Sequence, residues 1–298
     1  MEILNKIRYF FSLLKNGSLR EIYFRIKSFF IKAKVISRGG LAFDVIEILI
    51  TNKCTLKCKH CVSLIQYYKT QQNIHSEQIF RDIDLIFSKI DYTRLLIFIG
   101  GETLLVNNLS EYISYAVHKY KNKFCFILLT TNGTIVPSDE ELVNISKWRK
   151  NVIFSISDYG EMSANIKKLK ENLRKYNLFF NINHVKWQAW QQLVDGEHKN
   201  NNYAINCYKN CTTSSNTVNN GKFYHCGFLA RGEELHAFPH SEANSVNLFT
   251  DTARSNIIKY KSRDMAPPGC MYCSGHSVDS AVVPTAEQVT APIEYNTY

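Results

Sequence analysis

The stretch Thr51-Asn52-Lys53-Cys54-Thr55-Leu56-Lys57-Cys58-Lys59-His60-Cys61 places three thiols on one short loop, spaced by three residues and then two. It follows directly on Val45–Thr51, a β-branched apolar run that reads as a strand. Three thiolates hold three irons of a cubane, whereas structural clusters and zinc sites usually take four protein ligands. A deficit of one leaves an iron open to a substrate or cofactor. The alternative is a zinc knuckle that borrows His60 or a distant ligand.

Outward from this loop, β-like runs alternate with helical periods. Strands are expected at Val45–Thr51, Leu95–Ile99, Phe124–Thr130, Val152–Ser157 and Leu178–Asn183. Helices are expected at Ser76–Ile90, Asn108–Tyr120, Ser138–Trp148 and Ser163–Tyr176. The alternation predicts an α/β fold with a parallel sheet and crossover helices. About five such units are too few for a closed eightfold barrel, so a partial (β/α)6 barrel is expected over 39–205.

The loops after the later strands carry their own signals. Gly100-Gly101-Glu102-Thr103 follows the second strand, and Thr131-Asn132-Gly133 follows the third. Ser155-Ile156-Ser157-Asp158 closes the fourth. A glycine pair permits close backbone approach, and a carboxylate can accept from an ammonium group. Each is weak alone, since Asn-Gly is an ordinary turn. Four in order, at the strand ends where parallel α/β folds build their sites, are a pattern.

This pattern resembles the radical S-adenosylmethionine superfamily. The resemblance implies that Cys54, Cys58 and Cys61 hold a [4Fe-4S] cluster. It implies that Gly100, Gly101, Glu102 and Thr103 meet the amino group of S-adenosylmethionine, and that Ser155, Ser157 and Asp158 meet its ribose, with Asn132 nearby. His60 would stack on the adenine, or simply be exposed. The implied chemistry is reductive cleavage to a 5′-deoxyadenosyl radical that abstracts hydrogen from substrate. An external electron donor such as flavodoxin or ferredoxin is implied too. Two positions depart from the common pattern: His60 stands where a larger aromatic is frequent, and Thr103 where proline is.

A second group, Cys207, Cys211, Cys226, Cys270 and Cys273, lies in the last third. Asn219–Cys226 reads as a hairpin with an Asn-Gly turn, and Pro267–Cys273 as a stiff turn presenting a CxxC pair. Four thiolates suffice for a second [4Fe-4S] cluster, and the same arrangement also fits zinc. The group resembles the auxiliary-cluster domain called twitch, related to SPASM, expected over 206–276 and followed by a low-charge tail, 277–298. Cys226, Cys270 and Cys273 read as ligands, with either Cys207 or Cys211 as the fourth. The fifth thiol is a candidate hydrogen donor, or a spare. Cys125, inside a strand, reads as a core residue. His184, ending the fifth strand, is a candidate proton acceptor facing the site, or a structural histidine. Trp187 and Trp190 would stack on a sugar or pack under a loop.

Composition bounds these readings. The chain has 298 residues, 45% of them hydrophobic, enough for a full core. Nine cysteines in close-spaced groups and no evident export signal predict a reducing, cytoplasmic setting. Of the net charge of +10, residues 1–38 supply +7, from nine Lys and Arg against Glu2 and Glu21. The balanced remainder argues against a nucleic-acid partner. Residues 1–38 mix cations with Ile, Leu and Phe and break at Asn16-Gly17-Ser18, which predicts two short amphipathic helices. They would cap the barrel or lie on an anionic membrane face as a peripheral contact. Tyr67-Tyr68-Lys69, Ile90-Asp91-Tyr92, Ser157-Asp158-Tyr159-Gly160 and the Gly221–Cys226 hairpin resemble those of radical enzymes from surface-polysaccharide gene clusters, which implies a small, sugar-type substrate that is oxidised or epimerised. Peptide modification is the alternative, and a non-catalytic iron–sulfur scaffold or sensor is a third.

Overall fold

The computed structural model describes residues 19–189, 193, 201–211, 215–275 and 282–298. The chain begins there with helix α1 (Leu19–Ser37), the second of the two amphipathic helices expected; the first lies outside the described residues. Five βα-type strands then follow in order: β1 (Ala42–Leu49), β2 (Tyr92–Ile99), β3 (Phe124–Thr131), β4 (Val152–Asp158) and β5 (Phe179–His184). The helices between them are α2 (Ser76–Lys89), α3 (Leu109–Tyr120), α4 (Asp139–Ser146) and α5 (Ile166–Lys175). Each lies within a few residues of its expected bounds. The apolar periods that signalled them are the ones that become buried: Ile79, Ile83, Ile86 and Phe87 on α2, for example, are fully covered. Ser138 starts α4 by accepting from the Glu141 amide at 3.1 Å, an N-cap that satisfies an orphan donor.

Strands β1 to β5 pair in parallel and in sequence order, giving an α/β partial barrel that stays open. Alternate residues of each strand face opposite ways. Ile46, Ile48, Leu96, Phe98, Ile127, Leu129, Phe154 and Ile156 join the helices in the main core. Burying each such side chain stabilises the fold by roughly 1.5–3 kcal/mol. The intervening residues of the same strands line the opposite, concave face.

The sixth parallel strand does not follow β5. Residues Trp187–Ala189 (β6) instead pair antiparallel with Val282–Pro284, which places the tail against the barrel. The sixth parallel strand of the sheet is β7 (Thr217–Asn219), which takes the free edge of β1; an unpaired edge strand leaves its backbone donors open, and β7 covers them. Strand β8 (Lys222–Tyr224) returns from β7 through Asn220 and Gly221, both with positive φ (48° and 73°), the conformation a two-residue hairpin turn requires. Strand β9 (Ser245–Asn247) completes an eight-stranded sheet. Helices α6 (Asn201–Lys209), α7 (Gly227–Glu234) and α8 (Ala253–Ser262) pack around this extension, and the strand at 282–284 is β10. Asp82 of α2, fully buried, anchors the hairpin by accepting from the Asn220 and Gly221 amides at 2.8 and 2.6 Å.

No helix among the described residues is long and apolar enough to cross a membrane.

Candidate active site

The strand ends dictate where the cysteines stand. Cys54, Cys58 and Cys61 lie just beyond β1 and cluster with buried Leu56 and Ala286, flanked by Tyr159 and Val283. The loops after β2, β3 and β4 converge on them. Asn132 directs its side-chain amide at Cys54 Sγ (3.6 Å) and at Thr55 Oγ1 (3.0 Å). The Leu56 amide also donates to Cys54 Sγ, at 3.4 Å. Gln288 Nε2 lies 3.5 Å from Cys58 Sγ. Donors aimed at sulfur suit thiolates that carry charge in a loaded cluster.

In the protein alone, burial, with the nearby sulfurs acting in the same direction, pushes the Cys54 thiol up to about 12 and the Cys58 thiol up to about 11. Burial also raises Cys61. Neutral thiols packed this closely are what a metal-dependent site presents before a cation offsets their charge. No three His, Cys, Asp or Glu side chains among the described residues stand ready around a single metal ion. Three thiols met by donors from Asn132, Leu56 and Gln288 form a donor set that fits an iron–sulfur cluster.

The glycine pair has a reason in the structure that the sequence did not disclose. A Cβ on Gly100 would stand 2.1 Å from the Thr51 carbonyl oxygen, and one on Gly101 2.1 Å from that of Lys53. Both glycines thus let the loop after β2 press against the cysteine loop. Glu102 is fully buried, and both its carboxylate oxygens are engaged: Oε1 accepts from the Leu104 amide at 3.0 Å and Oε2 from the Asn132 amide at 2.7 Å. Burial pushes its carboxyl up to about 7. An incoming amino group would share these oxygens with the backbone. Thr103 is also buried and donates to the Thr130 carbonyl at 2.5 Å. Ser163 donates to the Asn132 carbonyl (2.7 Å) and accepts from the Tyr159 amide (2.9 Å), locking the loops after β3 and β4 together.

The expected ribose residues divide between two faces. Ser155 and Ser157 alternate with buried Phe154 and Ile156 and so face the concave side, as do Asn181 and Asn183 of β5. Asn183 Nδ2 bonds Ser155 Oγ at 3.2 Å, and Asn181 Oδ1 is buried without a hydrogen-bond partner. Asp158 and His184, by contrast, are register partners whose side chains fall on the parity of Ile156 and Ile182, the helix side. His184 Nδ1 pairs with Asp158 Oδ2 at 2.6 Å, and its side chain is 75% exposed. The expectation that His184 faces the site is thereby corrected: one residue of strand parity turns it away. His60 is mostly covered, with Nε2 turned toward Glu287 at 3.7 Å and Nδ1 unpartnered. Trp190 lies outside the described residues, as does the side chain of Trp187.

Sequence reasoning missed Tyr159 and Gln288. Burial pushes the Tyr159 phenol up to about 12, and the three thiols beside it act in the same direction. Its signal was adjacency to the Ser-Asp motif; Gln288 had none.

The second cysteine group also converges. Cys207 on α6, Cys211 just beyond it, Cys226 at the start of α7, and Cys270 and Cys273 line one small cavity with Tyr208, His225, Phe228 and Gly275. Burial pushes Cys226 up to about 12, and Cys211 acts in the same direction. Cys270 and Cys273 are raised by burial and then by Cys226. Cys125, half-buried on β3, lies among basic residues Lys27, Arg149 and Lys150 at the opposite end of the sheet. Arg231 of α7 joins the two cysteine regions. It is 1% exposed and donates to the Thr51 carbonyl and to Glu234 (3.1 Å), with its guanidinium over the Tyr68 ring.

No family model matches the chain. A GTP 3',8-cyclase of Clostridium acetobutylicum is 30% identical over 108 residues, 35% of this chain and 31% of that protein. The match thus spans about a third of that relative's length. Among solved structures, native anSMEcpe with bound AdoMet and Cp18Cys peptide is 14% identical, covering 82% of this chain and 93% of that one, with a TM-score of 0.48. BtrN in complex with AdoMet and 2-DOIA is 14% identical, covering 80% and 97%, with a TM-score of 0.45.

Proposed function

We propose that this chain is a radical S-adenosylmethionine enzyme that acts on a carbohydrate or sugar-derived small molecule at a carbinol C–H bond. The observation that carries this is the convergence on Cys54 of a loop 78 residues away, through the Asn132 amide. Binding a cluster by three thiolates asks for neighbouring loops to supply donors to sulfur and a floor for a second ligand, and those loops are interlocked here. Bound to Cys54, Cys58 and Cys61, a reduced [4Fe-4S] cluster would supply the electron that cleaves S-adenosylmethionine to a hydrogen-abstracting species.

The chain's own residues set the rest. Asn132 and Gln288 hold the sulfurs; Glu102, Gly100 and Gly101 brace the loop the amino acid moiety would approach. Ser155 and Ser157 face the concave side for ribose hydroxyls. Asn181 and Asn183 extend that polar wall, and the unpartnered Asn181 Oδ1 supports a polyhydroxylated substrate rather than an apolar one. Cys211 acts on all three of Cys226, Cys270 and Cys273, and Cys207 on Cys273 alone, which favours Cys211 as the fourth ligand of a second [4Fe-4S] cluster and Cys207 as the remaining thiol. An external flavodoxin or ferredoxin would deliver electrons. Residues 1–38 would touch an anionic membrane, a reading favoured by Phe29 and Phe30 standing exposed on α1 beside Lys27 and Lys34.

A panel of nucleotide-activated sugars incubated anaerobically with reconstituted enzyme in deuterated water tests the substrate class. Product with solvent deuterium on carbon marks epimerisation; a two-electron-oxidised product without it marks oxidation. Turnover of a precursor peptide and of no sugar would overturn the carbohydrate assignment.

A further inference from the structure

The tail reaches the cysteine loop as a short antiparallel clasp. The Val289 amide donates to the Lys57 carbonyl at 2.8 Å and the Lys59 amide to the Glu287 carbonyl at 2.7 Å, with Cys58 and Gln288 opposite one another. Glu287 adds an ion pair to Lys59 at 3.0 Å. Ala286, 6% exposed, packs in the cluster formed by Leu56 and Cys58. Its φ of 59° is a left-handed conformation that alanine rarely holds, and such strain persists where surrounding contacts over-determine the backbone.

Within this clasp one side chain touches a thiol. The Lys57 backbone N–H, which can only donate, meets Gln288 Oε1 at 2.7 Å. That contact fixes which end of the amide is which. The NH2 end is left facing Cys58 Sγ at 3.5 Å and the Ala286 carbonyl at 2.6 Å. An N–H aimed at a ligand sulfur favours the more negatively charged, reduced form of a cluster, and partners of this kind also hold the ligand in place.

We propose that Gln288 is a positioning residue for the Cys54–Cys58–Cys61 site, clamping the loop at Lys57 and directing an N–H at the Cys58 sulfur so that it sets metal retention and reduction potential. This rests on the reading of those cysteines as cluster ligands. Gln288 is itself exposed, so its replacement leaves the core untouched. Gln288→Leu removes both contacts, while Gln288→Glu keeps an acceptor for Lys57 and replaces the N–H facing sulfur.

Two readouts separate this inference from the cluster reading. In the metal-free protein, Cys58 alkylation is followed by peptide mass spectrometry; faster modification in Gln288→Leu supports the clamp, and an unchanged rate overturns it. In reconstituted protein, an EPR-monitored redox titration and iron loss to a chelator are compared. The expected result is a more negative midpoint in both variants and iron loss on the order of tenfold faster in Gln288→Leu. A cluster signal that the triple variant Cys54→Ala/Cys58→Ala/Cys61→Ala abolishes, with a midpoint unmoved in both Gln288 variants, overturns the tuning role. Absence of that signal in wild type defeats the cluster reading and the tuning role together, and the metal-free alkylation then decides the clamp alone.

Discussion

Glu102 Oε2 accepts the backbone N–H of Asn132 at 2.7 Å, tying the loop after β2 to the loop after β3. Its other oxygen holds the Leu104 amide. Glu102→Ala strands two buried donors, and each costs about 1–3 kcal/mol. We expect a loss of roughly 3 kcal/mol in urea unfolding of the metal-free protein, and about half that for Glu102→Gln, which retains one acceptor. An unchanged midpoint in Glu102→Ala would show that the carboxylate does not brace the loops.

Asp82 gives a pH dependence with a definite sign. Burial pushes its carboxyl up to about 6, against the two amide bonds that lower it. A folded-state value above the unfolded one stabilises the protein at low pH, and that contribution is lost as pH rises from about 4 through about 6. The predicted loss is up to about 3 kcal/mol, at 1.36 kcal/mol per unit. Urea midpoints at half-unit steps, compared with Asp82→Asn, check it: the variant should show a flatter profile over that window. A parallel offset at every pH would contradict the assignment.

Arg231 is a buried cation that spans the cysteine loop and the C-terminal extension. Arg231→Met leaves the buried Thr51 carbonyl without its donor and Glu234, a third exposed, without its cation, at a cost of about 1–3 kcal/mol. Thermal unfolding should drop accordingly, and limited proteolysis should open the segment around Thr51. Wild-type stability would place the guanidinium outside the structure's supports.

The five-cysteine cavity makes a discriminating case. Cys211→Ser should lose about four irons from reconstituted protein, while Cys207→Ser should keep them. The reverse outcome would exchange their roles.

How much of this was legible in the sequence follows from what each feature depends on. The five strands and four helices of the barrel were, because Ile46, Ile48, Ile79 and Ile83 repeat at the periods their burial demands. The Asn220-Gly221 turn was legible because its two residues are the ones that tolerate positive φ. The tail was not: Ala286–Val289 has no periodicity, and its partners at Lys57 and Cys58 lie some 230 residues away. The facing of His184 failed for a different reason. A strand's end residue alternates like the rest, and the count placed it with Ile182 rather than Asn183. Glu102 stood out in the sequence as a candidate acceptor for an ammonium group; in the fold its buried oxygens take the Leu104 and Asn132 amides.

The most direct test is anaerobic reconstitution followed by iron counting, Mössbauer spectroscopy and a dithionite assay for 5′-deoxyadenosine, on wild type and on Cys54→Ala/Cys58→Ala/Cys61→Ala. About eight irons in wild type, roughly four fewer in the variant, and 5′-deoxyadenosine formed only by wild type are the predicted results. A single tightly bound zinc and no 5′-deoxyadenosine from wild type would contradict the account.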